Sequence, residues 1–451
     1  MNRISSSTLR AAALVAALAP FSLADAQDRP AAAQDIPAAA PAAAPAAPAA
    51  SAAAPTTAAP PKAGATTTLY GVVLLTTFFD SGPFVAKDNA NVVKVPVAAD
   101  KGGTFIASAR GTRLGFRLDG LDSGVIRAKL SGVIEFDFKG GHVGANSASW
   151  NAFVPRVRLG FLKADWKAGG GVLSLVGGQD WGLLLNVNPN SVSYSVDPVF
   201  VGSGNLYRRA PQARLGWDLK GETFGLAIAA GILSPADTDT QGLTGTSAVD
   251  TGVGNKSRQP DVEGRVAISA NLGGGVSGTV GVGYHLGKRR YFLTQAGAPV
   301  TEDVTATLLG VDADLSLTKY LQLKGEYYDN KGVEDGYSGG FPGSFPSNPL
   351  PTAAPPVEPV TSQGWWAQAT VKPFPVLWLA GGYGTAEATK SRLSSTAAST
   401  RYASEQLHGA IMFLASKALR FGLEAARTES KYVVEGAFKA TQLSFATQLF
   451  F

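Results

Sequence analysis

The sequence predicts an all-β protein: a sixteen-stranded antiparallel transmembrane β-barrel with long loops at one end and short turns at the other. Three observations carry that expectation. Side chains alternate with period two over most of the chain after residue 67, and successive side chains of a strand point to opposite faces. The mean hydropathy is only +0.07, and no apolar run reaches the roughly 18 residues that a membrane-spanning helix needs. Long polar connections alternate with tight turns, as a closed barrel with both ends on one side demands.

The hairpin from Thr305 to Tyr328 shows the pattern best. Leu309, Val311, Ala313, Leu315 and Leu317 fall on one face; Gly310, Asp312, Asp314 and Ser316 fall on the other. After a turn at Thr318-Lys319, Leu321, Leu323, Gly325 and Tyr327 alternate with Gln322, Lys324, Glu326 and Tyr328. An apolar outside and a polar lumen are expected, with the terminal tyrosines at a membrane interface.

Strand one is expected near Thr68 to Phe79, followed by a loop from Asp80 to Ala107. Strand two, Ser108 to Asp119, sets Leu114, Phe116 and Leu118 against Arg113, Gly115 and Arg117, and turns at Gly120 to Gly124. Strand three alternates Leu130, Ile134 and Phe136 with Arg127, Lys129, Glu135 and Asp137. A second, small-residue-rich loop spans Lys139 to Phe153. Strand four then carries Val157, Leu159 and Phe161 opposite Arg156, Arg158 and Gly160, and strand five runs from Gly171 to Trp181. The third loop, Gly182 to Arg209, is rich in Asn, Pro, Ser and Tyr. Strand six sets Leu215 and Trp217 against Arg214 and Asp218. Strands seven to nine are expected over Thr223 to Leu233, Pro260 to Leu272 and Gly275 to Leu286, with Lys288, Arg289 and Arg290 in the loop beyond. The Thr305–Tyr328 hairpin supplies strands ten and eleven. The Pro- and Gly-rich stretch from Asn330 to Gln363 is too long and polar to lie within a bilayer. Strands twelve to fifteen follow. The last strand ends with Leu443, Phe445, Thr447, Leu449 and Phe451 on one face. Sixteen strands leave an aqueous lumen, whereas eight would be filled by side chains.

The N-terminus reads as a secretory signal peptide, residues 1–26: Arg3 and Arg10 supply a positively charged n-region, Ala11 to Leu18 is apolar but short, and Ala24-Asp25-Ala26 is a small-residue cleavage site. Residues 27–66 are mostly Ala and Pro, which predicts an extended periplasmic tether without packed structure. The barrel is expected over residues 67–451.

Composition excludes several classes. The chain lacks cysteine, so no disulfide framework or Cys-ligated metal is available. Its three histidines, His142, His285 and His408, have no metal-ligand spacing. Basic residues recur singly within strands and are not gathered in an arm, which argues against nucleic acid. Ser, His and Asp are too scattered for a catalytic triad, so neither an enzyme nor a cofactor is expected.

A pore needs a constriction and a charge pattern. Loop 182–209 is the expected constriction, folded into the lumen. Arg113, Arg117, Arg127, Lys129, Arg156 and Arg158, joined by Arg214 and Arg265, fall on the inward parity. As a ladder of forked donors they would favour anions such as carboxylates. Alternatively they pair with Glu135, Asp137, Asp218 and Glu263 and stiffen the wall. Asp197 in the loop either joins that ladder or repels anions. Trp181, Tyr194, Phe200 and Tyr207 either pack the loop on the wall or stack on sugars. Gly281-Val282-Gly283 is a fragment of a dinucleotide fingerprint inside a strand and carries no weight. The function expected is passive diffusion of small hydrophilic solutes across an outer membrane, with an anion bias. A channel selective for phosphate-like or sugar solutes, and a non-transporting barrel enzyme, are the alternatives.

Five stretches carry a family resemblance: Ser-Ala-Arg-Gly-Thr-Arg-Leu-Gly-Phe-Arg from Ser108, Val-Ile-Glu-Phe-Asp-Phe from Val133, Arg-Val-Arg-Leu-Gly-Phe from Arg156, Val-Gly-Gly-Gln-Asp-Trp from Val176, and Ala-Pro-Gln-Ala-Arg-Leu from Ala210. Together the chain resembles the DcaP-like trimeric porins of Gram-negative outer membranes. The resemblance implies sixteen strands, a homotrimer in outer-membrane lipid, a basic constriction, and small anionic solutes, dicarboxylates among them. The terminal Phe451 resembles the insertion signal that barrel-assembly machinery reads in such proteins. One departure is clear: that family often has a coiled coil before the barrel, and residues 27–66 cannot form heptads.

Overall fold

The computed structural model describes residues 64–451 apart from 101, 141–153, 185, 236–252, 296–297, 334–343, 346–357 and 394–399. The expected signal peptide, nearly all of the tether and the body of the second loop lie outside the described residues.

Sixteen antiparallel strands close into one barrel. They are β1 Thr66–Asp80, β2 in two parts (Thr104–Ser108 and Arg113–Ser123), β3 Ala128–Asp137, β4 Arg156–Ala168, β5 Gly171–Trp181, β6 Arg209–Lys220, β7 Phe224–Leu233 and β8 Asp261–Gly273. Then come β9 Val276–Gln295, β10 Ala298–Thr318, β11 Leu321–Lys331, β12 Thr361–Phe374, β13 Leu377–Ala388, β14 Arg401–Leu414, β15 Leu419–Tyr432 and β16 Gly436–Phe450. Each strand pairs with the next, and β1 pairs with β16 from Val72 opposite Phe450 to Asp80 opposite Gln442. Closure leaves no unpaired edge.

Strand parity follows the sequence. On β1, Leu69, Val73, Leu75 and Phe79 are exposed on the outer face, whereas Val72, Leu74, Thr76, Phe78 and Asp80 are buried inside. On β16, Leu443, Phe445 and Leu449 face out while Gln442, Ser444 and Gln448 are buried. An apolar belt of this kind is stable only against lipid, because in water it would be a very large exposed patch.

Three details differ from the sequence expectation. First, β2 is broken at residues 109–112. Thr76 faces Ser108 and Val72 faces Arg113, so the break inserts one extra residue, a bulge. Thr112 Oγ1 accepts a hydrogen bond there from the Leu74 amide at 3.2 Å. Second, Lys288, Arg289 and Arg290 lie within β9, not in a loop. The β9–β10 pairing continues from Gly287 opposite Ala306 to Gln295 opposite Ala298, beyond the last pairs with β8 and β11. Ion pairs make these basic residues compatible with a strand: Arg289 with Asp261 at 2.9 Å and Arg290 with Asp303 at 2.7 Å. Third, the interior is not uniformly polar, and Tyr328 does not face the membrane. It is buried in one of three apolar clusters inside the barrel, with Leu184, Leu206 and Leu308.

The other two clusters show what fills the lumen. Phe84 and Val93, from residues 81–103, meet Val187, Tyr194 and Phe200 of the third loop against Phe78 and Trp366 of the wall. Val192 and Val196 pack on Leu74, Ala410, Met412 and Ala446. Two long loops therefore fold inward onto the barrel wall, and burial of each large side chain is worth about 1.5–3 kcal/mol.

Candidate functional site

The segment 182–208 traverses the lumen and is held by inward-facing polar side chains. At its root the Leu183 amide donates to Glu263 on β8 at 2.8 Å. Farther on, the Asn190 amide donates to Gln368 on β12 at 2.7 Å. The Val192 and Ser193 amides both donate to Glu424 on β15 at 2.7 Å, and the Tyr194 hydroxyl donates to Gln442 on β16 at 2.8 Å. The chain then returns: the Phe200 amide donates to Gln406 on β14 at 2.6 Å and the Leu206 amide to Glu326 on β11 at 2.9 Å. Each buried loop amide needs such an acceptor, since an unpaired one would cost about 1–3 kcal/mol.

Close approach is built into the wall. Phe200 sits against Gly382 and Gly384 of β13, where any Cβ would crowd its ring, and it stacks on Trp366 with ring centroids 5.7 Å apart.

A charge clasp joins the loops at their end of the barrel. The Lys139 ammonium lies 2.7 Å from Asp197 of the crossing loop and 3.3 Å from Asp88 of the first loop. Arg110, in the β2 bulge, approaches Asp88 at 3.8 Å. Burial acts to raise the Asp197 pKa, but Lys139 and Arg156 outweigh it and hold the carboxyl well below the usual range. Burial likewise acts to lower that of Lys139, and Asp197 and Asp88 outweigh it and raise it.

The structure splits the expected basic ladder. Arg158 is fully buried, 2.7 Å from Glu135 and 3.0 Å from Asp137, and Arg156 is 2.8 Å from Asp137. Arg113 donates to the Ser195 carbonyl of the crossing loop. These three lie together toward the long-loop end. Arg209 joins them, its guanidinium 5.1 Å from the Trp181 ring and 5.6 Å from that of Tyr207. Arg117 keeps the inward parity but lies exposed toward the short turns, paired with Asp119 at 2.6 Å. Lys129 is exposed at that end too. Arg127 is in the β2–β3 turn with φ 52°, not on a strand, because the turn requires a left-handed residue there. Arg214 and Arg265 face the lumen farther round the wall, each 2.6 Å from a carboxylate, Asp180 and Asp312. The carboxylates differ from those expected in part: Glu135 and Asp137 do pair with ladder arginines, whereas Glu263 meets Arg208 and His285. Phe451 exchanges two backbone hydrogen bonds with Gly71 at the barrel seam.

Arg265 on β8 reaches Asp312 on β10 by crossing β9. Gly281 stands opposite Ala267 on one side and Asp312 on the other. Its missing side chain is the space the guanidinium occupies. The glycine pair that looked uninformative in the sequence is thus a notch for an ion pair.

Beside the crossing loop an open cavity of about 460 Å³ remains. It runs along β5–β9 from Trp181 and Leu183 at the loop root to the β6–β7 turn at Gly221–Thr223.

No family model matches the chain, and no curated protein matches it in sequence. Among solved structures, the outer-membrane channel DcaP of Acinetobacter baumannii matches with a TM-score of 0.63 at 18% identity, over 86% of this chain and 98% of its own. The fold is that of the DcaP channel. OmpT of Vibrio cholerae and an anion-selective porin from Comamonas acidovorans match more loosely, both at a TM-score of 0.49, with 14% and 13% identity. Each covers 86% of this chain, and 98% and 100% of its own. The resemblance expected from the sequence thus holds at the level of the architecture over most of the chain.

Sequence reasoning did not single out Lys139, Arg209, Glu424 or His408. Lys139 and Arg209 read as loop ends. Glu424 occupies an inward position on β15, but nothing in its neighbours shows that it faces a loop some 230 residues away.

Proposed function

We propose that this protein is a non-enzymatic outer-membrane channel through which small hydrophilic solutes diffuse passively, with a bias toward anions such as carboxylates. One observation carries the bias. On β2, β4 and β6 beside the crossing loop stand four guanidinium groups, of Arg113, Arg156, Arg158 and Arg209, and among the described residues their ion pairs involve two carboxylates, Glu135 and Asp137. Nε of Arg113 and one terminal nitrogen of Arg209 have no hydrogen-bond partner among the described residues. Lys139 and Arg110 are balanced by Asp88 and Asp197. Arg113 and Arg158 are buried and act through their field, while Arg156 and Arg209 are partly exposed, and together they bias the long-loop end of a low-dielectric lumen toward anions. In this reading residues 1–26 direct export, residues 27–66 lie in the periplasm, the long loops face outside, and loop 182–209 narrows the pore. The barrel works as a homotrimer in outer-membrane lipid, inserted by assembly machinery that reads Phe451.

The test is planar-bilayer conductance of the purified protein in a KCl gradient. Stepwise openings in threes, with a reversal potential on the chloride side, are expected. Replacing Arg156 and Arg209 together by Glu should move the reversal potential toward potassium. Cation preference in the wild type would overturn the anion bias, and no openings from folded protein would overturn the channel.

A further inference from the structure

The inner faces of β12 and β14–β16 are closed to solutes. Gln368, Gln406, Glu424, Ser444 and Gln448 are each at most 3% exposed beneath the two infolded loops. The opposite wall is different. Along β7 the outer face carries Phe224, Ile228 and Ile232, all exposed, and the inward positions between them are Gly225, Ala227, Ala229 and Gly231. The long cavity lies against this wall. Ala229 stands between Gly216 of β6 and Arg265 of β8, and Ala227 between Asp218 and Ala267.

The charges along the cavity differ in kind from those around the crossing loop. As many basic as acidic side chains line it. Three of its five basic groups are held in pairs across the lining: Arg214 with Asp180, Arg265 with Asp312, and Lys324 with Asp314 at 3.4 Å. Such a lining presents dipoles without net charge, so it neither concentrates nor repels an ion by sign.

Resting on the channel reading above, we infer that solutes pass off-axis through this cavity, along the inner face of β7. There the passage discriminates by width and not by charge, and Ala227 and Ala229 set that width. Selection by sign is then confined to the arginine group at the long-loop end. The chemical class served is the small polar solute, neutral, zwitterionic or singly charged, whose cross-section clears a wall of methyl groups. Loop anchoring and passage thereby fall mainly on different arcs of the wall: β11–β16 hold most of the plug, β5–β9 line most of the path, and the two meet at the loop root, where Leu183 bonds to Glu263 of β8.

The chain has no cysteine, so single cysteines report their positions without background. Ala229→Cys and Ser444→Cys, in the full barrel, would be treated in bilayers with a cationic and an anionic methanethiosulfonate of similar size. Either reagent should cut the current of Ala229→Cys, at rates within about threefold of each other because the local potential is near zero. The current of Ser444→Cys should not change. Loss of current at Ser444→Cys but not at Ala229→Cys would overturn the route. So would Ala229→Cys protein that mass spectrometry shows to remain unlabelled. Block at Ala229→Cys by one sign of reagent alone would overturn the charge-neutral passage. The unmodified protein serves as the control: if it does not conduct, the channel reading fails, whereas conduction with the wrong labelling pattern fails only the route.

Discussion

The ammonium of Lys139 lies 2.7 Å from the carboxylate of Asp197, and this contact fastens the end of β3 to the middle of a loop rooted two strands away. Lys139→Met leaves Asp197 and Asp88 without their shared cation. Breaking a buried pair from one side costs about 3–5 kcal/mol. The expected outcome is a lower thermal midpoint and noisier current as the loops separate, measured by melting in detergent and by single-channel recording.

The same clasp has a defined pH window. The Asp197 pKa is lowered in the folded protein, so its contribution is complete above the usual carboxylate range, near 4, and is lost as pH falls through the lowered value. The Lys139 pKa is raised, so its contribution is complete below about 10 and fades as pH climbs through the raised value. Loop noise should stay flat between about pH 4 and 10. A transition near pH 6 to 7 would assign loop motion to another group.

Glu424 accepts two backbone amides of the crossing loop and the Ser191 hydroxyl, and it lies 3.0 Å from Nε2 of His408. Glu424→Ala strands both amides in a buried place, at about 1–3 kcal/mol each. The loop should detach locally, raising conductance while the barrel stays closed. Glu424→Gln keeps one acceptor oxygen and should fall between. Equal conductance in all three proteins would show that the loop holds its place without this anchor.

Trp366 is 1% exposed, stacks on Phe200 and donates to Glu326 at 3.0 Å. Trp366→Ala removes both contacts and should cost about 3–5 kcal/mol. Protease cleavage within 182–208 in folded, reconstituted protein is the readout, with the wild type resistant.

Gly281→Val fills the notch that Arg265 crosses, at an overpacking cost of about 1–3 kcal/mol. The guanidinium must leave Asp312. The cavity then loses its internal balance, and the relative rates of cationic and anionic labelling at Ala229→Cys should diverge.

Much of this fold was legible because a barrel wall is repetitive. Leu309 faces out and Asp312 faces in for the same reason that Leu443 and Gln442 do, and period two reveals both without knowledge of any neighbour. The sixteen strands and the inward parity of Arg113, Arg156, Arg158, Arg214 and Arg265 could be read that way. What could not be read was which strand a loop would meet. Glu424 holds Val192, and Lys139 holds Asp88 and Asp197, across separations that leave no local trace. The basic run at Lys288 suggested a loop because Asp261, the partner of Arg289, lies on a different strand. Asp312 was not among the carboxylates expected to pair with the ladder, because it lies beyond an intervening strand from Arg265 and is reached only through the gap at Gly281.

The seam between β1 and β16 has a consequence in time. Val72 pairs with Phe450, and Asp80 with Gln442, so the first strand has its second neighbour only when the last residues of the chain are in place. Loop closure over such a separation is entropically costly, and folding dominated by distant contacts is slow. Until then both terminal strands present unsatisfied backbone, and the outer face displays apolar side chains to water, a combination that favours aggregation. An unclosed seam is therefore the aggregation-prone state of this barrel, and the pairing of β16 with β1 ends that exposure.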